Sequence, residues 1–185
     1  PEPGPVYHIG AVSDEFVVED FDLDGLVDVA MYSPNEVHIV YGAAEGRLRG
    51  PRSVDLGGTL KVATDVNMDG LVDLLGAEPR AGVIRVRLGR PDGSFHRGEN
   101  VIVDGDDRIS ALQAGDIDGD GAPDLVATGV FSRDPVHVLW GRGDGSFDVP
   151  TVLPIESQAQ QGQLAIADLD ADDDLSTSSF SSSSS

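Results

Sequence analysis

One nine-residue pattern recurs along this chain and constrains its fold more than any other feature. It reads Asp20-Phe21-Asp22-Leu23-Asp24-Gly25-Leu26-Val27-Asp28, then Asp65-Val66-Asn67-Met68-Asp69-Gly70-Leu71-Val72-Asp73, then Asp116-Ile117-Asp118-Gly119-Asp120-Gly121-Ala122-Pro123-Asp124. A fourth copy opens as Asp168, Asp170 and Asp172. It then departs, with Asp173 in place of the Gly and Ser176 in place of the closing Asp. The copies start 45, 51 and 52 residues apart, a period that belongs to propellers, solenoids and related arrays.

The segments between the loops repeat as well. An apolar run precedes each loop, as at Leu60 to Ala63 and Ile109 to Ala114. Another follows the first three at once, as at Val72 to Leu75. Next comes a β-rich run closing on Gly42, Gly89 or Gly141, then a Gly-bearing turn such as Pro91-Asp92-Gly93-Ser94-Phe95 or Gly143-Asp144-Gly145-Ser146-Phe147. Asp-Gly between apolar runs is a strong hairpin signal. A short fourth run ends each unit, at 52–56, 101–103 and 151–155. No segment shows a 3.6-residue apolar period. Each unit therefore reads as a four-stranded antiparallel meander. One meander cannot cover both its faces, and stacking copies about an axis does so. The expected fold is all-β: a propeller-type array of four-stranded blades with about three and a half repeats. The units fall at 11–56, 57–104 and 105–156, with a partial one at 157–175. Residues 176–185, mostly serine, read as a tail outside the 1–175 repeat domain.

The loops point to calcium. Calcium takes six to eight hard oxygen ligands in a flexible geometry. Side chains at positions 1, 3 and 5 of a curling loop converge on one point: Asp20, Asp22 and Asp24; Asp65, Asn67 and Asp69; Asp116, Asp118 and Asp120. Gly at position 6 lets the chain turn. The main-chain carbonyl of Leu26, Leu71 or Ala122 at position 7 and the carboxylate of Asp28, Asp73 or Asp124 at position 9 complete the expected set. Asp168, Asp170 and Asp172 offer a partial fourth set whose occupancy stays open. An EF-hand needs an acidic residue at position 12, where this chain has Met31, Gly76 and Ala127. Zinc is disfavoured because there is no Cys and no His cluster.

Charge and composition narrow the partners. The formal net charge of −21 opposes binding to nucleic-acid phosphates and to anionic membranes. No apolar stretch approaches the ~20 residues of a membrane span. With no Cys, disulfides cannot staple the fold, which leaves metal as one means of support. A catalytic role finds little footing. The single lysine, Lys61, lies in a strand-like run, and no serine sits in a nucleophile elbow. His38 and His137 share a repeated strand position with Arg85, four residues before the Gly of each unit. Arg142-Gly143-Asp144 belongs to a repeated turn, and Tyr41 and Trp140 hold one repeated position that packing explains.

These Asp loops and Gly-Asp-Gly-Ser-Phe turns resemble FG-GAP repeats, also called VCBS-type repeats, across roughly residues 6–175. The resemblance implies propellers, usually seven-bladed, with calcium in loops joining the first two strands of certain blades, as in the integrin α-subunit head. It implies a non-catalytic, secreted or surface-exposed module meeting a protein or glycan. Two other expectations stand beside it: an accessory region of an extracellular polysaccharide-acting enzyme, and a self-assembling structural subunit.

Overall fold

The structure is a computed structural model. It describes residues 16–33, 36–78, 81–103, 109–129 and 136–153, and the backbone of 163–167 and 176–180. Among these residues there is no α-helix. Fifteen strands run β1 Phe16–Glu19, β2 Asp28–Tyr32, β3 Val37–Ala43, β4 Arg47–Val54, β5 Thr59–Thr64, β6 Asp73–Ala77, β7 Val83–Gly89, β8 Phe95–Arg97, β9 Val101–Ile102, β10 Ile109–Gly115, β11 Asp124–Gly129, β12 Val136–Leu139, β13 Thr151–Leu153, β14 Gln163–Ala167 and β15 Ser176–Phe180. One 3-10 turn, Ala44–Gly46, joins β3 to β4.

The sheets are meanders in chain order. Blade 1 is β1-β2-β3-β4, blade 2 is β5-β6-β7-β8 with β9 also on β7, and blade 3 is β10-β11-β12-β13. Every pairing is antiparallel, with registers such as Leu75↔Val86 and Val126↔Val138. Among the described residues the sheets do not close into a ring. The expected all-β array of four-stranded blades is what the chain forms. Two details differ from the sequence expectation. The outer strand of blade 1 begins at Arg47, earlier than 52, because the 3-10 turn is shorter than the expected loop. The outer strand of blade 2 is broken in two. Gly98 follows β8, and its N–H reaches Val86 O at 3.1 Å. A Cβ there would lie 2.9 Å from Val86 Cγ1, so the chain pinches in before β9 resumes. Ser176–Phe180, in the segment read as a tail, pairs antiparallel with Gln163–Ala167.

The core lies between blades. Phe21, Val37, Ile39 and Tyr41 of blade 1 pack with Leu60 and Leu74 of blade 2. Leu75, Ile84 and Val86 of blade 2 pack with Leu112, Leu125 and Leu139 of blade 3. Successive residues of a strand face opposite ways, so Leu74 serves one interface and Leu75 the other. That is why β6 is buried along its whole length and, after Asp73, reads as a continuous apolar run. Burying a Leu or Ile side chain contributes about 1.5–3 kcal/mol, so each interface holds the array together strongly.

Candidate functional site

The three described Asp loops join β1 to β2, β5 to β6 and β10 to β11, all at one end of the blades. Their backbones curl alike. Position 6 is left-handed in each, with φ of 84°, 84° and 91° at Gly25, Gly70 and Gly121. Position 4 is left-handed too, at Leu23, Met68 and Gly119, a feature the sequence does not announce because two of these residues carry side chains.

The first Asp of each loop is the hub. Asp20 accepts the N–H of Asp24 at 3.1 Å and of Gly25 at 2.8 Å. Asp65 accepts those of Asp69 at 3.2 Å and Gly70 at 2.7 Å. Asp116 accepts those of Gly119 and Gly121, both at 2.9 Å. Position 5 folds back on position 7: Asp24, Asp69 and Asp120 accept the N–H of Leu26, Leu71 and Ala122 at 2.9, 2.9 and 2.8 Å.

The ninth-position Asp does something the spacing alone does not reveal. Asp28, Asp73 and Asp124 are buried, at 0%, 0% and 1% exposure. Each accepts two main-chain N–H groups from different parts of its own blade. One oxygen takes the second loop residue: Phe21 at 2.9 Å, Val66 at 3.0 Å, Ile117 at 2.8 Å. The other takes the glycine at the end of the third strand or just past it: Gly42 at 2.8 Å, Gly89 at 2.7 Å, Gly141 at 2.7 Å. The carboxylate is thus a strut between loop and sheet. Glycine is required beside it. A Cβ would stand 2.6 Å from Val27 O, 2.5 Å from Val72 O and 2.2 Å from Pro123 O in the three blades. The sequence shows these glycines at a repeated place; their role needs the fold, which brings a residue 14 to 17 positions away onto the Asp. Burial raises all three carboxyls, and the neighbouring loop carboxylates add to it. The two amides pull the other way. Asp73 is lifted from 3.8 to about 6.

Oxygens of Asp20, Asp22 and Asp28 lie within 4.8 Å of one another, as do those of Asp116, Asp118 and Asp120. Asp24 and Asp124 stand outside these groups. Asp24 instead meets Arg49 of β4 at 3.2 Å, and Arg49 also pairs with Asp22. No repeat signal marks Arg49. In the second loop Asn67 replaces a carboxylate, and its amide donates to Asp69 at 3.0 Å. Asp168, Asp170 and Asp172 lie outside the described residues. The donors fit a hard divalent cation. All are oxygens, and Asp22 Oδ1 is buried with no hydrogen-bond partner.

The Gly-bearing turn of each following blade rests on the loop of the one before. Tyr41 donates its hydroxyl to Gly93 O at 2.6 Å, and Gly93 lies against Asp22 and Tyr41. Gly145 donates to Val66 O at 3.1 Å and lies against Asn67 and Leu88, with Gly143 against Met68. Each turn is held by its own Asp. Asp92 accepts Ser94 N–H at 3.0 Å, and Asp144 accepts Ser146 N–H at 2.9 Å. Arg142 pairs with Asp148. The Arg142-Gly143-Asp144 tripeptide is therefore part of a blade-to-blade latch. His38 lies between two hydroxyls, Ser33 at 3.2 Å and Ser53 at 3.0 Å.

Residues 65–127 match the FG-GAP-like repeat family. No curated protein matches the sequence. Among solved structures, an Agrocybe aegerita lectin, described for its specific recognition of non-reducing terminal N-acetylglucosamine, superposes with a TM-score of 0.65 at 16% identity, over 88% of this chain and 46% of that one. The chain thus spans about half the length of that lectin, and at this identity the likeness is one of fold. The Photorhabdus luminescens Tc holotoxin pore gives a TM-score of 0.47 at 21% identity, over 92% of this chain and 8% of that one.

Proposed function

We propose that this chain is a non-catalytic, calcium-stabilised module of a propeller-type array, working outside the cell or at its surface and presenting its blades to a protein or glycan. The observation that carries the calcium reading is the first loop. Three carboxylates converge there, and Asp22 Oδ1 is buried without a partner. An unpaired buried carboxylate oxygen is costly, and a cation removes that cost. Asp20, Asp22 and Asp28 would hold the ion in loop 1, and Asp116, Asp118 and Asp120 in loop 3. Asp65, Asn67 and Asp69 would serve loop 2.

The role is structural. Like-charged carboxylates in one small volume repel, and calcium offsets this. The next blade's turn sits on the loop, so a firm loop gives that turn a firm seat. Ion binding then adds to the stability of the fold. Extracellular modules of this ligand type bind calcium at about 10⁻⁴–10⁻³ M, which suits a calcium-rich exterior. Two observations favour a binding role over catalysis: the FG-GAP-like repeat, and the commitment of the loop carboxylates to main-chain amides.

Calorimetric calcium titration with parallel thermal unfolding tests this. Binding at millimolar calcium or below, lost loop by loop in Asp20→Ala and Asp116→Ala, with a higher Tm on binding, is the expected outcome. No heat and no Tm change at 10-fold above about 10⁻³ M calcium would overturn it.

A further inference from the structure

We propose that the arginine-lined cleft between blades 1 and 2 is a binding site for an oxyanion group, a carboxylate or a sulfate-type anion carried by a larger ligand. The chain is strongly acidic, with only 12 Lys and Arg. Yet Arg52, Arg85, Arg87 and Arg97 line two adjoining cavities of about 270 and 360 Å³ that share Asp55, Arg87 and Arg97. They lie on strands β4, β7 and β8 and are far apart in sequence, so the fold gathers them.

Their partners leave cationic capacity over. Arg85 pairs with Glu78, and Arg97 reaches Asp55 at 3.6 Å. Arg87, only 6% exposed, has no ion pair among the described residues. Its Nε and Nη1 donate to carbonyls, Asp55 O at 2.7 Å and Val86 O at 2.9 Å. Arg85 Nε is buried with no hydrogen-bond partner. Charges are buried when paired, and a buried guanidinium held only by carbonyls beside an unpartnered guanidinium N–H is a place for an anion. Arginine's planar fork matches a carboxylate or sulfate face. Gly57, left-handed at φ 74°, lies against both guanidiniums: a Cβ on it would stand in ordinary contact, 3.7 Å from Arg85 Nε and 3.8 Å from Arg87 Nη2. Asp55, with its side chain largely exposed, lines both cavities beside Arg97. The site is independent of the Asp loops.

The test follows the arginine Nε–H resonances of the intact 15N-labelled chain, at constant ionic strength in chloride. Sodium sulfate, sodium glucuronate and glucose are titrated separately. Saturable shifts at Arg85 and Arg87 with sulfate, glucuronate or both are expected, with none for glucose. Sulfate alone identifies a sulfate- or phosphate-type group, and glucuronate alone a carboxylate. Arg97→Gln, at an exposed position, and Arg85→Gln should each weaken binding roughly tenfold. Arg142→Gln, in the latch of blade 3, should leave it unchanged. The proposal is overturned by an absence of saturable shifts, by equal shifts with glucose, or by binding that survives both cleft substitutions.

Discussion

Replacing Gly89 with alanine tests the strut directly. The new methyl would stand 2.5 Å from Val72 O and 3.3 Å from Leu71 Cβ. The nearest obstacle is backbone, so relief requires β7 to move away from the loop. Overpacking of this kind costs about 1–3 kcal/mol. The same movement stretches the 2.7 Å bond from Gly89 N–H to Asp73, and a buried bond to a charged group is worth about 1.5–3 kcal/mol. Together the loss is about 2.5–6 kcal/mol, a large part of the 5–15 kcal/mol that stabilises a typical domain. Gly46→Ala is the reference. Gly46 has a left-handed φ, 68°, which Gly89 in β7 lacks, and open space around its Cβ position, so it bears only the backbone cost of about 1–2 kcal/mol. Urea unfolding in chelator, followed by circular dichroism, gives both values. A Gly89→Ala loss no greater than that of Gly46→Ala would refute the claim that strand end and loop are locked through the ninth-position carboxylate.

Two further outcomes follow from the same loops. Asp73 has its folded pKa raised from 3.8 to about 6 by burial, so its contribution favours the fold below about pH 4 and is lost as pH rises through about 6. In calcium-free buffer, the stability of the parent chain relative to Asp73→Asn should fall by about 2–3 kcal/mol between pH 4 and 6.5, measured by urea midpoints; a flat difference would contradict it. Arg49 occupies the carboxylates of loop 1, so Arg49→Gln should tighten calcium binding at that loop severalfold in calorimetry and leave loop 3 unaltered.

Much of the blade plan is legible because it rests on short-range patterns. Apolar runs, Asp-Gly turns and the Asp loops each declare themselves within a dozen residues. Residues Asp20, Asp65 and Asp116 stand out in the same way, since their partners lie three to five positions on. What stays hidden depends on long separation. Asp28 reads as one more ligand until the fold carries Gly42 to it. Arg49 is invisible as a partner of Asp22 because no other blade repeats it. The turns read as hairpin ends, but their use as latches depends on the neighbouring blade: Tyr41 and Gly93 meet across 52 positions.

The struts and the latches differ in reach, and that difference gives the array a direction of growth. A strut closes within 7 to 17 residues of its Asp, a low contact order that forms quickly and needs no neighbour. A latch can close only after the following blade exists. During synthesis each new blade would therefore arrive at a loop already shaped to receive it. In evolution, a cut placed between units spares every strut and disturbs one latch, so whole blades can be duplicated or dropped as cassettes.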